Sequence, residues 1–136
     1  MSSGKNVGRY LVAAALSAAC SRAAADELAA ADIERWQAQF MQVAEQGRKL
    51  WGDPSLGTNG VVCGQCHPNA SNTHPETYPK FQKQLGKVIP MWEMANWCIA
   101  NPLEGQQLAA DDPRMTALMA YVAYERRGVP LAPGKH

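Results

Sequence analysis

Apolar residues recur every three or four positions along the segment from Asp26 to Trp51. This spacing predicts an amphipathic helix, because positions three and four apart share one helical face. The dipeptide Asp53-Pro54 predicts the end of this helix, since proline cannot continue it. The predicted apolar face comprises Ile33, Trp36, Phe40, Val43, Ala44, Gly47, Leu50 and Trp51.

The middle of the chain predicts shorter helical segments than the first one, separated by irregular structure. Cys63 opens a predicted helical turn that Pro68 interrupts. The segment 71–79 contains two prolines and several polar residues, which predicts irregular structure. A further helix is predicted from Pro90, which suits a first turn, to about Ala100.

The last helix has the clearest boundaries. Asp112 is a predicted N-cap, Pro113 suits the first helical position, and Arg126-Arg127-Gly128 predicts the end. No segment shows a convincing β-strand pattern. The sequence therefore predicts an all-α fold of about four helices.

Residues 1–25 have the pattern of a secretory signal peptide. Lys5 and Arg9 precede a short Ala-rich apolar run, and Ala23-Ala24-Ala25 offers small residues for cleavage. The run is too short for a permanent membrane anchor, which needs about 20 apolar residues. We therefore predict cleavage after Ala25, a mature domain at residues 26–136 with no membrane span, and a periplasmic location.

A lipoprotein signal is the alternative for the same segment. In that interpretation Cys20 is acylated, although Ser17 stands where such sites prefer a larger aliphatic side chain. If Cys20 is instead removed with the signal, three cysteines remain in the mature domain.

Composition and net charge exclude some classes of protein for this chain. The chain has 136 residues, 46% hydrophobic and 18% charged, which argues for one folded domain and against disorder. The whole chain has a net charge of +1, and removal of residues 1–25 leaves ten basic and twelve acidic residues, a net charge of −2. Such a domain lacks the basic excess of a nucleic-acid-binding protein.

The string Cys63-Gly64-Gln65-Cys66-His67 is the attachment motif for c-type heme. The thiols of Cys63 and Cys66 add to the two vinyl groups of the porphyrin, and His67 is the proximal ligand of the iron. A redox disulfide or half of a zinc site would also contain a Cys-x-x-Cys pair, but the sequence has no second such pair for zinc. We therefore predict one covalently bound heme c.

With this motif, the chain resembles the class I c-type cytochromes. In that family a first helix with a glycine crosses a last helix with an aromatic residue, and Gly47 and Tyr121 match these positions. A glycine at the crossing lets two helix backbones approach, and a large ring opposite fills the notch. The resemblance implies a class I cytochrome c fold around the heme.

The residues alone leave two alternatives for the ligand on the other side of the iron. A methionine is usual in class I cytochromes, and Met94 and Met115 lead a set of candidates that also includes Met91 and Met119. Cys98 is the alternative, because an unpaired cysteine in an oxidising compartment needs a role.

A closer resemblance favours Cys98. The motifs Thr77-Tyr78-Pro79-Lys80, Leu85-Gly86-Lys87-Val88-Ile89 and Asn96-Trp97-Cys98 resemble heme domains of thiosulfate dehydrogenases and of the A subunit of the sulfur-oxidising cytochrome. In those families a cysteine after this order of motifs ligates the iron opposite the histidine, which implies Cys98 as the distal ligand. Many members carry two heme motifs, whereas this chain carries one.

Two functions follow from this resemblance. The first is an exported monoheme cytochrome that transfers single electrons, as a carrier or as a subunit in sulfur-compound oxidation. The second is an enzyme subunit in which Cys98 acts on thiosulfate or a related compound. We expect electron transfer rather than a stand-alone enzyme, because a small single-heme domain leaves little room for a substrate pocket. Arg114 is the nearest basic candidate for holding a sulfur oxyanion.

The expected partner is a redox protein, such as another cytochrome subunit. Lys80, Lys83 and Lys87 form a local basic cluster that favours an acidic partner surface. Trp92 and Trp97 bracket the predicted helix that carries Cys98 and are expected to shield the heme from water.

Overall fold

The structure is a computed structural model that describes residues 29–136. The predicted cleavage site after Ala25, the alternative lipid site at Cys20 and the first predicted helical residues, 26–28, lie outside the described residues. Besides three single-turn 3-10 helices, the described part contains four α-helices and one two-stranded sheet. These elements are α1 (Ala30–Trp51), α2 (Cys63–Cys66), β1 (Lys80–Gln82), β2 (Lys87–Ile89), α3 (Met91–Ala100) and α4 (Pro113–Glu125).

The closest helix contact is the crossing of α1 and α4 at Gly47. A methyl group on Gly47 would overlap the backbone carbonyl of Ala117 and come within 2.8 Å of Tyr121 Cβ. One turn further along α1, the ring of Trp51 meets the ring of Tyr121 edge-on, with centroids 5.5 Å apart. The predicted crossing of Gly47 with Tyr121 is confirmed.

The predicted apolar face of α1 is buried only in its second half. Ala44, Gly47 and Trp51 are buried, whereas Ile33, Trp36 and Phe40 are 41%, 46% and 42% exposed. The reason is a difference in length. A helix of 22 residues is about 33 Å long and one of 13 residues about 20 Å, so α4 cannot cover all of α1.

The boundaries of α4 agree with the prediction. Asp112 is the N-cap and accepts a hydrogen bond from the backbone N–H of Arg114 at 2.8 Å. Pro113 takes the first helical position, where its missing N–H costs nothing. Gly128 follows the helix with a φ of 82°, a left-handed conformation that favours glycine. The predicted helix from Pro90 begins one residue later, with Pro90 as its N-cap.

The expectation that the chain has no strands is wrong. Strands β1 and β2 form an antiparallel hairpin in which Phe81 pairs with Val88. The N–H of Gly86 donates to the Gln82 carbonyl at 2.8 Å, and Gly86 has a φ of 66°. Each strand has only three residues, which is too short to show the alternation by which strands are predicted. The fold is mainly helical with this one small sheet.

The core lies where α4, the end of α1 and α3 meet the loops between them. None of the helices in residues 29–136 is long and apolar enough to cross a membrane. The main buried cluster consists of Trp51, Leu56, Ala70, Ile99, Leu103, Leu108, Met115, Leu118, Tyr121 and Val122.

We predict that Gly47→Ala destabilises the protein by about 1–3 kcal/mol or more, because the added methyl group forces α1 and α4 apart. Thermal and urea unfolding of the heme-loaded protein measures this loss. The matched control is Gly52→Ala, since Gly52 has a φ of −102° and a methyl group there meets no atom closer than 3.9 Å. Equal stability of the two variants would contradict the proposed role of the crossing.

Candidate functional site

All four predicted site residues line one cavity of about 360 Å³. Cys63, Cys66 and His67 form one wall, and Cys98 reaches the same space from α3. Most of the remaining lining is apolar, as expected for a cofactor pocket. This apolar lining includes Trp51, Val61, Val62, Met91, Met94, Ala95, Trp97, Ile99, Pro102, Leu103, Leu118 and Met119.

The two attachment cysteines lie at opposite ends of the single turn α2. Residues three apart on a helix share a face, so the turn can present both thiols to one porphyrin edge. Gln65 Oε1 accepts a hydrogen bond from the Val62 N–H at 3.1 Å, and the Cys63 carbonyl accepts one from the His67 N–H at 3.0 Å. These bonds fix both ends of the motif.

His67 is oriented by two hydrogen bonds. Its Nδ1 lies 2.9 Å from the Ser71 carbonyl, which can only accept, so Nδ1 carries the proton. The other ring nitrogen, Nε2, is then unprotonated and suited to bind iron. Trp51 Nε1 donates to the His67 carbonyl at 2.8 Å and ties the motif to the end of α1. The sequence pattern placed Trp51 on the helix face but did not reveal this bond.

Helix α3 presents several sulfur atoms to the cavity. Met91, Met94 and Cys98 all line it, as their common helical face predicts. Met115 is only 1% exposed, packs in the core and does not line the cavity. The structure thus places Met115 in the core rather than on the cavity wall. Met119, from α4, does reach the cavity.

The thiols inside the cavity influence one another. Burial, followed by the charge of Cys98, raises the pKa of Cys63 to about 11. Burial, followed by the charge of Cys66, also raises the pKa of Cys98. All three cysteines line the same cavity. Cys98 is half-buried, and a thiol with a raised pKa holds its proton at neutral pH, so binding to a metal cation as thiolate requires release of that proton.

Asn96 anchors α3 two residues before Cys98. It is 5% exposed and makes a reciprocal pair of bonds with the backbone of Leu108. Its Nδ2 donates to the Leu108 carbonyl at 2.8 Å, and its Oδ1 accepts from the Leu108 N–H at 2.9 Å. The Asn96 side chain thus pairs with both backbone groups of Leu108, as a neighbouring strand would. This pairing fixes the position of α3 beside the cavity.

The loop between His67 and the hairpin is tied to the end of α4. Glu76 Oε1 lies 3.0 Å from His74 Nδ1 and 3.4 Å from Arg126. Burial raises the pKa of Glu76, but its backbone hydrogen bond, His74 and Arg126 together hold that pKa below its ordinary value. The Ala132 N–H donates to the Glu76 carbonyl at 2.7 Å. The contacts with Arg126 and Ala132 were not predicted, because they join residues about 50 positions apart.

Other predicted residues are divided between the cavity and the outer surface. Lys80 and Trp97 line the cavity, whereas Trp92 packs against the core cluster and does not line it. Lys87 pairs with Glu93, and Lys83 is exposed in the hairpin turn. Arg114 lies in a separate polar groove of about 250 Å³. Arg114 does not line the heme cavity, and its guanidinium is paired with Asp112.

Comparison with known protein families shows which family this domain resembles. A family model described as the SoxA/TsdA cytochrome c domain matches residues 46–131, which include all four predicted site residues. The predicted resemblance to class I cytochromes of this kind is confirmed, and so is covalently bound heme c as the cofactor. The residues fit that group, because two thiols, an oriented imidazole and an apolar lining share one cavity.

Curated relatives are longer than this chain. The chain is 28% identical over 110 residues to the L-cysteine S-thiosulfotransferase subunit SoxA of Rhodovulum sulfidophilum, a match that covers 79% of this chain and 38% of the relative. It is 26% identical over 103 residues to the thiosulfate dehydrogenase of Allochromatium vinosum, a match that covers 63% of this chain and 38% of the relative. The chain thus spans about two fifths of each relative.

A solved structure supports the fold. The crystal structure of SoxXA from P. pantotrophus superposes with a TM-score of 0.65 over 76% of this chain and 40% of that chain. The sequence identity is 20%, so this similarity concerns the fold alone.

We predict that Asn96→Ala destabilises the protein by about 1–3 kcal/mol for each backbone group of Leu108 that it leaves buried without a partner. Thermal unfolding followed by heme absorbance and circular dichroism measures the effect. Asn101→Ala is the control, because exposed Asn101 makes only a single side-chain bond, to the Trp97 carbonyl. If both variants unfold at the same temperature, Asn96 does not anchor α3.

Proposed function

The chain belongs to the SoxA/TsdA cytochrome c domain family, and we propose that it is an exported monoheme cytochrome that transfers single electrons in sulfur-compound oxidation. In this proposal His67 and Cys98 are the two axial ligands of the heme iron. Residues 1–25 direct export to the periplasm, and residues 26–136 form the single cytochrome domain.

One observation carries the ligand assignment. Cys98 lines the same cavity as the attachment thiols and His67. It is also the one cysteine among the described residues that the attachment motif does not use. A soft thiolate is a strong ligand for iron, and ligation gives this half-buried thiol a partner. Met94 is the main competitor, because it lies one helical turn before Cys98 and lines the same cavity.

Heme c supplies a one-electron iron couple in such a domain. The chain's own residues determine how that couple is held. Cys63 and Cys66 fix the group covalently, and Ser71 holds the His67 ring in the tautomer that ligates metal. Trp97 and Leu118 line the cavity, and apolar side chains around a heme limit the access of water and so tune its potential.

A thiolate at Cys98 sets the direction of that tuning. An anionic sulfur ligand stabilises ferric iron more than ferrous iron, whereas a neutral thioether favours the ferrous state. The proposed protein is therefore a low-potential carrier. It accepts electrons only from a strongly reducing donor and passes them on readily.

The partner is proposed to be another redox protein. The similar solved structure is that of SoxXA, and the curated relatives contain more chain than this domain. A monoheme domain passes one electron at a time, so two-electron oxidation of a sulfur compound would need a second centre. We therefore propose a second cytochrome or a catalytic subunit as the partner.

An enzyme subunit acting through Cys98 is the alternative function, favoured by the names of the relatives. It needs cationic groups that hold a sulfur oxyanion beside Cys98. No arginine lines the cavity within residues 29–136, Arg114 is paired elsewhere, and Lys80 is the single lysine among the lining residues. This lining favours the carrier over the stand-alone enzyme.

The ligand assignment predicts that Cys98→Met changes the low-spin ferric signal in electron paramagnetic resonance and raises the reduction potential, because a thioether replaces a thiolate. Met94→Leu is the matched control on the same helix face and leaves both properties as in the wild type. If Cys98→Met alters neither property, or if Met94→Leu opens the iron site, Cys98 is not the ligand.

The carrier function predicts that the purified ferric protein is not reduced by thiosulfate alone. Reduction is expected only when a donor subunit or a low-potential chemical reductant is added. Stopped-flow absorbance of the heme bands measures this. Rapid reduction by thiosulfate, lost in Cys98→Met, would support the enzyme and contradict the carrier.

A further inference from the structure

We infer that the first half of α1 is an interface at which two copies of this chain pair in antiparallel orientation. Every residue from Ile33 to Gln42 is exposed, so about three turns of helix have no packed face among the described residues. A helix in a folded protein draws most of its stability from the packing of its apolar face. An apolar face that is left uncovered therefore indicates a partner. This inference depends neither on the iron ligands nor on the proposed function.

The exposed apolar side chains continue a helix face that is already packed. Ile33, Trp36 and Phe40, which we call the α1 stripe, are spaced by three and four residues and share one side of the helix. The same spacing leads on to Val43 and to Gly47, which is buried against α4. The whole line follows the seven-residue repeat by which two helices pack side by side. The occupant that fits the α1 stripe is therefore another helix.

The charge of this surface argues against a charged partner. Residues 36–44 include no charged side chain. Just before them, Arg35 is paired with Asp32 of the same helix at 2.7 Å. An acidic or basic surface thus finds no complementary charge on the α1 stripe, in contrast to the lysines of the hairpin. Apolar contact holds the occupant, as expected for two identical surfaces that must not repel each other.

A second copy fits because the α1 stripe is complementary to itself. In an antiparallel pair with its two-fold axis at the level of Ala38, Trp36 of each copy faces Phe40 of the other, and Ile33 faces Val43. Since α4 packs on the second half of α1 only, the two folded bodies lie at opposite ends of this pair. A parallel pair would bring both bodies to the same end, where they would overlap, because packed helices lie only about 8–10 Å apart.

The antiparallel pair leaves both heme cavities accessible. Trp51 lines the cavity and lies about 20 Å along the helix from Ala38. The two copies of Trp51 are therefore about 40 Å apart along the pair, with one cavity near each end. Each cavity can then meet a redox partner without interference from the other copy.

The size of the α1 stripe predicts a weak dimer. Its three side chains are each a little under half exposed, and they provide less than the roughly 800 Å² per partner of a standard stable interface. Sedimentation equilibrium of the heme-loaded protein between about 1 and about 500 μM measures the association. The wild-type protein is expected to change from monomer to dimer over this range.

Phe40→Glu is expected to raise the dissociation constant of the dimer by at least about tenfold, because it places an unpaired charge in the covered face. Met41→Glu is the matched control. Met41 and Phe40 are 41% and 42% exposed, but the next position lies about 100° around the helix and so off the α1 stripe. Met41→Glu therefore retains the wild-type dissociation constant. Heme absorbance and circular dichroism confirm that both variants are loaded and folded.

Two results would overturn the inference. The first is a wild-type protein that stays monomeric up to about 500 μM. If nuclear magnetic resonance signals of α1 in that monomer shift when phosphatidylcholine vesicles are added, the face belongs to a membrane instead. The second is a dimer that Phe40→Glu leaves unchanged, or that Phe40→Glu and Met41→Glu weaken equally, since the contact then lies away from the α1 stripe.

Discussion

The close approach of α1 and α4 at Gly47 is the contact on which the site depends. Because Gly47 has no side chain, α1 lies against the backbone of Ala117, and the end of α1 is held beside Tyr121. That position brings Trp51 within hydrogen-bond distance of the His67 carbonyl. The same contact therefore fixes both the helix pair and the heme attachment motif, so a shift in the crossing would be transmitted to the proximal side of the iron site.

The distal side is built separately, from α3 and the loops beside it. Asn96 holds α3 against Leu108, and the loop before the hairpin is held to the end of α4 through Glu76 and Arg126. Cys98 and Lys80 thus reach one cavity from different elements. A thiol and a lysine ammonium group then lie in the same apolar space, where electrostatic interactions are stronger than in water.

The elements with strong local signals were predictable from the sequence. Asp112-Pro113 set the start of α4, and the Cys63–His67 motif identified the cofactor, because both depend on residues close together in the chain. The hairpin was missed because each strand has three residues, and the exposure of Trp36 was missed because it depends on the length of another helix. Asn96 bonds Leu108, which lies 12 positions away, and no local sequence pattern predicts such a pairing.

The identity of the iron's second axial ligand is the central claim, and a crystal structure of the heme-loaded protein tests it most directly. The account predicts His67 Nε2 bound to one side of the iron and Cys98 Sγ bonded to the other. Iron bound instead by the thioether of Met94, or by solvent, with Cys98 Sγ beyond bonding distance, would contradict it.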